Sequence, residues 1–283
     1  MFSRKPAPVG VIGLGIIGTR VAANLREAGA EVAVWSRTPK PEPGFLGSAA
    51  DVAANSEVIQ IFVSDDAALA SVIDIMRPAL GPAHTVCCHA TVSPAAVRTA
   101  AAEVAATGAA FLEAPFTGSK DAAAAGKIAF YLAGDETAIK RARPVLEINA
   151  AHLVEVGTEI GTAAVLKIAT NMISATTVCI LAEALAVSRA CGVDDEAFAR
   201  ALEVNGCRSM LTGMKLPAMR ERDYSPHFSL QNMLKDARFG LDLATAGKLD
   251  ASVLQAAARR LQTSADAGDG ALDYAAVMKQ LDS

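Results

Sequence analysis

The residues that most restrict the fold are VGVIGLGIIG, positions 9 to 18. The strand-like apolar run VGVI leads without a break into a GxGxxG sequence, and Thr19 to Ala28 behind it is patterned as a helix. A strand that turns this sharply into a helix needs backbone conformations closed to most side-chain-bearing residues, and it leaves the amides of the helix start uncovered. Gly13 is expected to make the turn. Gly15 is expected to let the backbone of the loop, including Leu14, Ile16 and Ile17, approach a pyrophosphate, and Gly18 to let helix and strand pack closely. The helix N-terminus adds its partial positive charge, so the first βα turn is predicted to hold a dinucleotide.

The rest of the first half repeats this rhythm. Strand-like runs at 31–35, 58–63, 85–89, 110–113, 128–133 and 153–156 alternate with Ala-rich helical stretches, the signature of a mostly parallel sheet covered by helices. After Gly161 the pattern changes. Thr162 to Ala190 reads as one long helix with hardly a charge, and a helix apolar nearly all round must be buried, between domains or between subunits. From Val193 onward helical periodicity continues, punctuated by Gly206, Gly213, Pro217, Pro226, Gly247 and Gly268. The expected fold is α/β: an N-terminal Rossmann domain over 1–161, then, over 162–283, a long interdomain helix and an all-α C-terminal domain.

Composition narrows the function. The 26 Lys and Arg against 30 Asp and Glu give a net charge of -4, which argues against wrapping nucleic acid or lying on an anionic membrane, since both need clustered positive charge. A small molecule, or a second copy of the chain, is the expected partner. The five cysteines include the adjacent Cys87 and Cys88 and show neither a disulfide framework nor metal-ligand spacing, so a reducing, cytoplasmic compartment is expected and no metal. Arg4 and Lys5 ahead of the apolar run imitate a leader, but the glycine turn explains that run better. The apolar stretch between Lys167 and Glu183 counts 15 residues, short of the roughly 20 that cross a bilayer, and no membrane span is expected.

The second strand ends at Ser36, Arg37 and Thr38, about 22 residues beyond Gly13, where an NAD-binding chain would carry an acid for the ribose 2′-hydroxyl. Here Arg37, Thr38 and Lys40 offer a cation and a hydroxyl suited to a 2′-phosphate, which favours NADP over NAD. Lys167 is the lone charge from Gly161 to Ala182, and Asn171 lies four residues on, along the same helical face. An ammonium in a buried helix needs a purpose, and a proton given to a carbonyl oxygen as hydride arrives at carbon is one. EAPFTGSK, residues 113–120, can present backbone N–H groups to a carboxylate, though in isolation it is a turn. Thr91 begins the helix-capping segment TVSP; Lys235 and Asp236 read as an ordinary exposed pair; the four histidines lack metal spacing or a nucleophile to pair with.

In this order, VIGLGIIG, VWSRT, FVSD, ATVSP, FLEAPFTGSK, the Gly161–Asn171 stretch and FSLQNMLKD, spread over almost the whole chain, resemble the β-hydroxyacid dehydrogenase family, most closely its NADPH-dependent glyoxylate and succinic semialdehyde reductase branch. The resemblance implies reduction of a small aldehyde or aldehyde-acid to the hydroxyacid, or the reverse oxidation. It makes Lys167 the catalytic lysine and Asn171 its substrate-orienting neighbour. It puts Thr117, Gly118 and Ser119 at the substrate carboxylate, Thr91 and Lys235 at the cofactor, Val63 and Ser64 in the loop over the cofactor, and Phe228 and Asp236 in the substrate pocket. It also implies a homodimer or homotetramer built through the helical region.

This chain departs from the family at Ala90, at His89, and at Phe116 and Thr117, whose bulk beside the carboxylate site points to a substrate other than glyoxylate or succinic semialdehyde. Two alternatives stand beside the reductase: an imine reductase of a related branch, which generally lacks the lysine, and a non-catalytic NADP-binding scaffold, which has no need of it.

Overall fold

The computed structural model describes residues 8–282. Arg4 and Lys5 lie outside the described residues. The chain divides into two compact units, the first ending at Lys167 and the second starting at Ile168.

The first unit is built on eight strands: β1 (Val9–Ile12), β2 (Val32–Trp35), β3 (Val58–Ile61), β4 (Thr85–Cys88), β5 (Ala110–Glu113), β6 (Phe116–Thr117), β7 (Ile128–Ala133) and β8 (Ala150–Gly157). They lie in the order β2-β1-β3-β4-β5-β7-β6, with β8 also on β7. The first five are parallel, and β7 runs antiparallel to β5 and β6. β1, β3 and β4 are buried throughout, which is why they are mostly apolar on both faces rather than alternating, with Gln60 and Thr85 the polar exceptions. Alternate side chains serve opposite faces: Val9 and Val11 enter one core with Leu112 and Phe130, while Ile12 joins Ile59, Ile61 and Val86 in the other. Beyond β2, Val34 makes an isolated parallel bridge to Phe45. With β2 on one side of β1 and β3 on the other, the strand order reverses at β1, and the crevice beyond its carboxyl end is where such sheets bind ligands.

Two details differ from the sequence pattern. The predicted strand 153–156 extends over Ala150–Gly157, and Phe116–Thr117, read as part of a turn, forms β6 by pairing with Phe130 and Ala129. The pairing is across sequence and leaves no local mark.

Helix Thr162–Ala190 has 29 residues and, by length and composition alone, qualifies as a span: mean hydropathy reaches 1.6 over 18 residues. This corrects the 15-residue count, because neither Lys167 nor Glu183 interrupts the helix. Nor is the helix buried all round. Ala175, Val178, Ala182 and Leu185 enter the core of the second unit, whereas Ile173, Ile180 and Val187 are 66, 60 and 63% exposed.

Four further α-helices, Asp195–Glu203, Met210–Glu221, Leu230–Ala246 and Ser252–Asp266, and two 3-10 helices, Asp269–Ala271 and Tyr274–Gln280, follow in the second unit, where the described residues include no strand. Gly213 and Pro217, expected to punctuate, sit inside Met210–Glu221. That helix tolerates them because a capping box between Ser209 and Thr212 starts it and Leu216 and Met219 tie it to the core.

Candidate active site

The glycine loop lies at the carboxyl end of β1 in the first unit. Gly13 has φ +97°, and a Cβ there would lie 2.0 Å from the Phe62 carbonyl oxygen; at Gly18 it would lie 1.9 Å from the Gly13 carbonyl oxygen. Both glycines are required by the fold. Gly15 differs: nothing lies within 4 Å of a Cβ placed there, and the space it leaves is open. Helix Ile16–Glu27 starts from Gly15 with no side chain capping it, whereas the helices starting at Ala49, Asp66, Pro94, Lys120 and Glu136 are capped by Ser48, Asp65, Ser93, Ser119 and Asp135. An uncapped first turn beside a glycine with open space over its Cα suits a phosphate, which accepts from just such amides. Leu14 is buried and Ile17 half-buried, while Ile16 is exposed at the helix start, so the loop's contribution to a ligand is its backbone.

Around this turn stand the other positions named from the sequence. Arg37 and Thr38 are exposed just past β2, and the Ser36 hydroxyl donates to the Thr38 carbonyl at 2.6 Å. The Lys40 ammonium donates to the Leu14 carbonyl, folding the basic segment back onto the glycine loop. Val63 and Ser64 follow β3, with the Ser64 hydroxyl donating to Asp65 at 2.6 Å. Thr91 follows β4; the cap of the next helix is Ser93, whose amide and hydroxyl donate to Asp66 at 2.9 and 2.6 Å. These positions share the carboxyl-terminal edge of one sheet, which is what places them together.

The segment after β5 is more ordered than a turn. Thr117 and Gly118 are exposed, Gly118 at φ +151° close to Ile128, and Ser119 accepts from Ala122 N–H at 3.1 Å as a helix cap. The Phe116 ring lies in an aromatic cluster, its centroid 6.0 Å from that of Phe62 and 6.5 Å from that of Phe130, on the face of the strand opposite to Thr117. His89 belongs to the same cluster, stacked on Phe62 at 4.5 Å, with Nδ1 2.7 Å from the Ala114 carbonyl oxygen and Nε2 buried without a partner. Burial pushes His89 down to about 4, so it is a neutral imidazole donating through Nδ1.

Lys167 is buried on the second turn of helix Thr162–Ala190. The start of that helix is held by Glu113, the last residue of β5, which the sequence reading passed over. A charged residue closing the apolar strand AFLE was the available signal.

In the second unit Asn171 is buried and donates to Asp236 at 2.5 Å, and Asp236 pairs with the Lys235 ammonium at 2.7 Å. Asp236 is fully buried, so Lys235 and Asp236 are not the exposed pair expected from the sequence. Helical spacing cannot tell which polar residue faces inward when the residue that receives it lies 65 positions away. Phe228 packs edge-on to Tyr274 at 6.1 Å, and its amide donates to Asp273, which also pairs with the buried Lys215 at 2.7 Å.

Residues 8–157 match the family profile for the NAD binding domain of 6-phosphogluconate dehydrogenase, and residues 161–281 the profile for NAD-binding of NADP-dependent 3-hydroxyisobutyrate dehydrogenase. The chain is 30% identical to 3-hydroxyisobutyrate dehydrogenase of Pseudomonas aeruginosa, over 96% of this chain and 97% of that protein. It is 28% identical to chloroplastic glyoxylate/succinic semialdehyde reductase 2 of Arabidopsis thaliana, over 96% of this chain and 79% of that protein. The crystal structure of 3-hydroxyisobutyrate dehydrogenase from Salmonella typhimurium shares the fold with a TM-score of 0.88 at 24% identity, covering 97% of this chain and 99% of that one.

Proposed function

Since this chain belongs to the β-hydroxyacid dehydrogenase family and is thereby an NAD(P)-dependent oxidoreductase, we propose that it uses NADPH to reduce a small aldehyde or aldehyde-acid of the glyoxylate or semialdehyde type. The reverse reaction is oxidation of the corresponding hydroxyacid, a 3-hydroxyacid among them. The observation that carries this reading is one compact unit holding both an open, uncapped glycine turn and a buried lysine on an anchored helix.

The backbone of Gly13 to Gly18 would hold the pyrophosphate, with Val63, Ser64, Thr91 and Lys235 as further contacts, and Ser36, Arg37 and Thr38 would receive the 2′-phosphate. When bound, the reduced nicotinamide supplies the hydride. Lys167, as the ammonium, gives its proton to the substrate carbonyl oxygen as negative charge develops there, and takes it back in the reverse direction. Asn171 orients the substrate, and its amide is itself oriented by Asp236. Thr117, Gly118 and Ser119 would receive the carboxylate, and Phe228 and Asp236 are the further substrate-side residues that the family resemblance assigns. Thr117 and Gly118 are exposed, which leaves the carboxylate loop an open face.

A homodimer or homotetramer is supported by Ile173, Ile180 and Val187, which recur every seven residues along one exposed helix face; a monomeric mass by light scattering would refute it. A cytoplasmic setting is supported by the free thiols of all five cysteines; recovery of the native protein in an oxidising compartment would refute that.

The deciding experiment follows loss of reduced nicotinamide absorbance with glyoxylate, succinic semialdehyde, neutral aldehydes and cyclic imines, using NADPH and NADH, in the parent and in Lys167→Ala. Turnover of the acids that falls by about a hundredfold or more in Lys167→Ala, with NADPH binding retained, is expected. Turnover of imines alone, or equal kcat in the variant, would remove the lysine acid from the mechanism.

A further inference from the structure

Glu113 closes β5 and is only 1% exposed. Its carboxylate lies against the start of helix Thr162–Ala190: the Gly161 amide donates to Oε2 at 2.6 Å and the Ala164 amide to Oε1 at 2.5 Å. The Ala163 amide acts on it too, and these donors oppose the burial that pushes its carboxyl up. Burying an acid is costly unless hydrogen bonds compensate it, and an exposed serine or aspartate caps a helix without that cost. Five other helices of the first unit use such a local cap. This helix takes its cap from the sheet, 48 residues away in sequence.

The segment leading into the helix is built to be held. Gly161 has φ +102°, a backbone conformation that strains any residue with a Cβ, and it carries no side chain to cap with; the Arg98 guanidinium lies directly over it. Arg98 in turn donates to the Ile160 carbonyl at 3.0 Å. The helix start is therefore gripped by a carboxylate from β5 and a guanidinium from helix Pro94–Ala105, and Lys167 lies three residues past Ala164, less than one turn from the grip.

We propose that Glu113 is a positioning residue for Lys167, fixing the lysine relative to the carboxyl-terminal edge of the sheet that carries the cofactor turn. The proposal rests on Lys167 acting as the acid. A group that acts in the transition state loses rate when misplaced, more than it loses ground-state binding, so the expected mark of losing Glu113 is on kcat.

The test compares Glu113→Gln, Arg98→Ala and Lys167→Ala with the parent, using succinic semialdehyde and glyoxylate, with kcat expressed per NADPH-binding site titrated by fluorescence. Glu113→Gln keeps the shape but replaces one acceptor oxygen with a donor facing N–H groups. It is expected to lower kcat by about tenfold or more while KM and the Kd for NADPH stay within about threefold. Arg98→Ala, at an exposed position that folding tolerates, is expected to lower kcat by about two- to fivefold in the same way.

Parent-like kcat per site in both variants, beside an inactive Lys167→Ala, would overturn the positioning role and leave the acid intact. A loss of rate in Glu113→Gln matched by loss of NADPH sites would overturn it in favour of a merely structural role. If Glu113→Gln does not fold, an unchanged kcat in Arg98→Ala overturns it. Parent-like turnover in Lys167→Ala would instead sink the acid assignment, and the positioning role with it, by removing the group to be positioned.

Discussion

Helix Ile16–Glu27 begins at Gly15 with no side chain over its first turn, whereas helix Thr162–Ala190 begins just after Gly161 with a buried glutamate fitted across its amides. Both follow glycines, and both present the donors that every helix start leaves unsatisfied. What differs is the supply of the acceptor. At Gly15 the protein withholds one, and the donors remain for a phosphate; at Gly161 it brings one from the sheet, and the donors become a fastening. The same backbone chemistry thus serves binding at one end of the unit and placement at the other. A glycine at each site keeps a local side chain from usurping the role.

The comparison breaks first at the glycines. Gly13→Ala and Gly18→Ala should each destabilise the protein by about 3 kcal/mol or more, since each new methyl meets a backbone carbonyl and Gly13 also sits at positive φ. Gly15→Ala should leave Tm near the parent value, and weaken NADPH by about tenfold or more by occupying the cradle. Thermal unfolding and fluorescence titration separate the two outcomes; a large fall in Tm for Gly15→Ala would mean that its open space is structural.

A second test concerns the mounting of the closed start. His89 holds the Ala114 carbonyl, next to Glu113, and burial lowers it from 6.5 to about 4. Between those values the unfolded chain binds a proton that the folded chain refuses, so stability is full above 6.5 and is lost as pH falls toward 4. The loss reaches up to about 3 kcal/mol. His89→Phe should lack that part of the slope when urea midpoints at pH 7 and 4.5 are compared with the parent's; equal slopes would show that His89 does not fold as the neutral ring.

The smallest effect sharpens the open start. Arg37→Ala should weaken NADPH by about tenfold and NADH hardly at all, measured as Kd for each. Equal losses for both would move the 2′-phosphate away from Arg37.

Much of this molecule was legible in order along the chain. The first βα turn, the alternation of strands with helices, the long helix carrying Lys167 and Asn171, and the cap in TVSP follow from neighbours within a few residues, where φ restrictions, side-chain period and capping act. The misreadings share a cause. The exposed pair expected at Lys235 and Asp236 fails because the partner of Asp236, Asn171, lies in another helix. Gly213 and Pro217 were read as breaks because the packing that carries a helix through them is invisible locally.

The sequence by itself determined that there would be a glycine turn ready for a dinucleotide and a lone lysine on a long apolar helix, since both are properties of short stretches. Only the tertiary structure decided that the lysine's helix would be fastened by Glu113, that Asn171 would be aimed by Asp236, and that His89 would be neutral. Each of these depends on residues brought together from far apart and removed from water, where a hydrogen bond or a charge takes on a meaning it lacks along the chain.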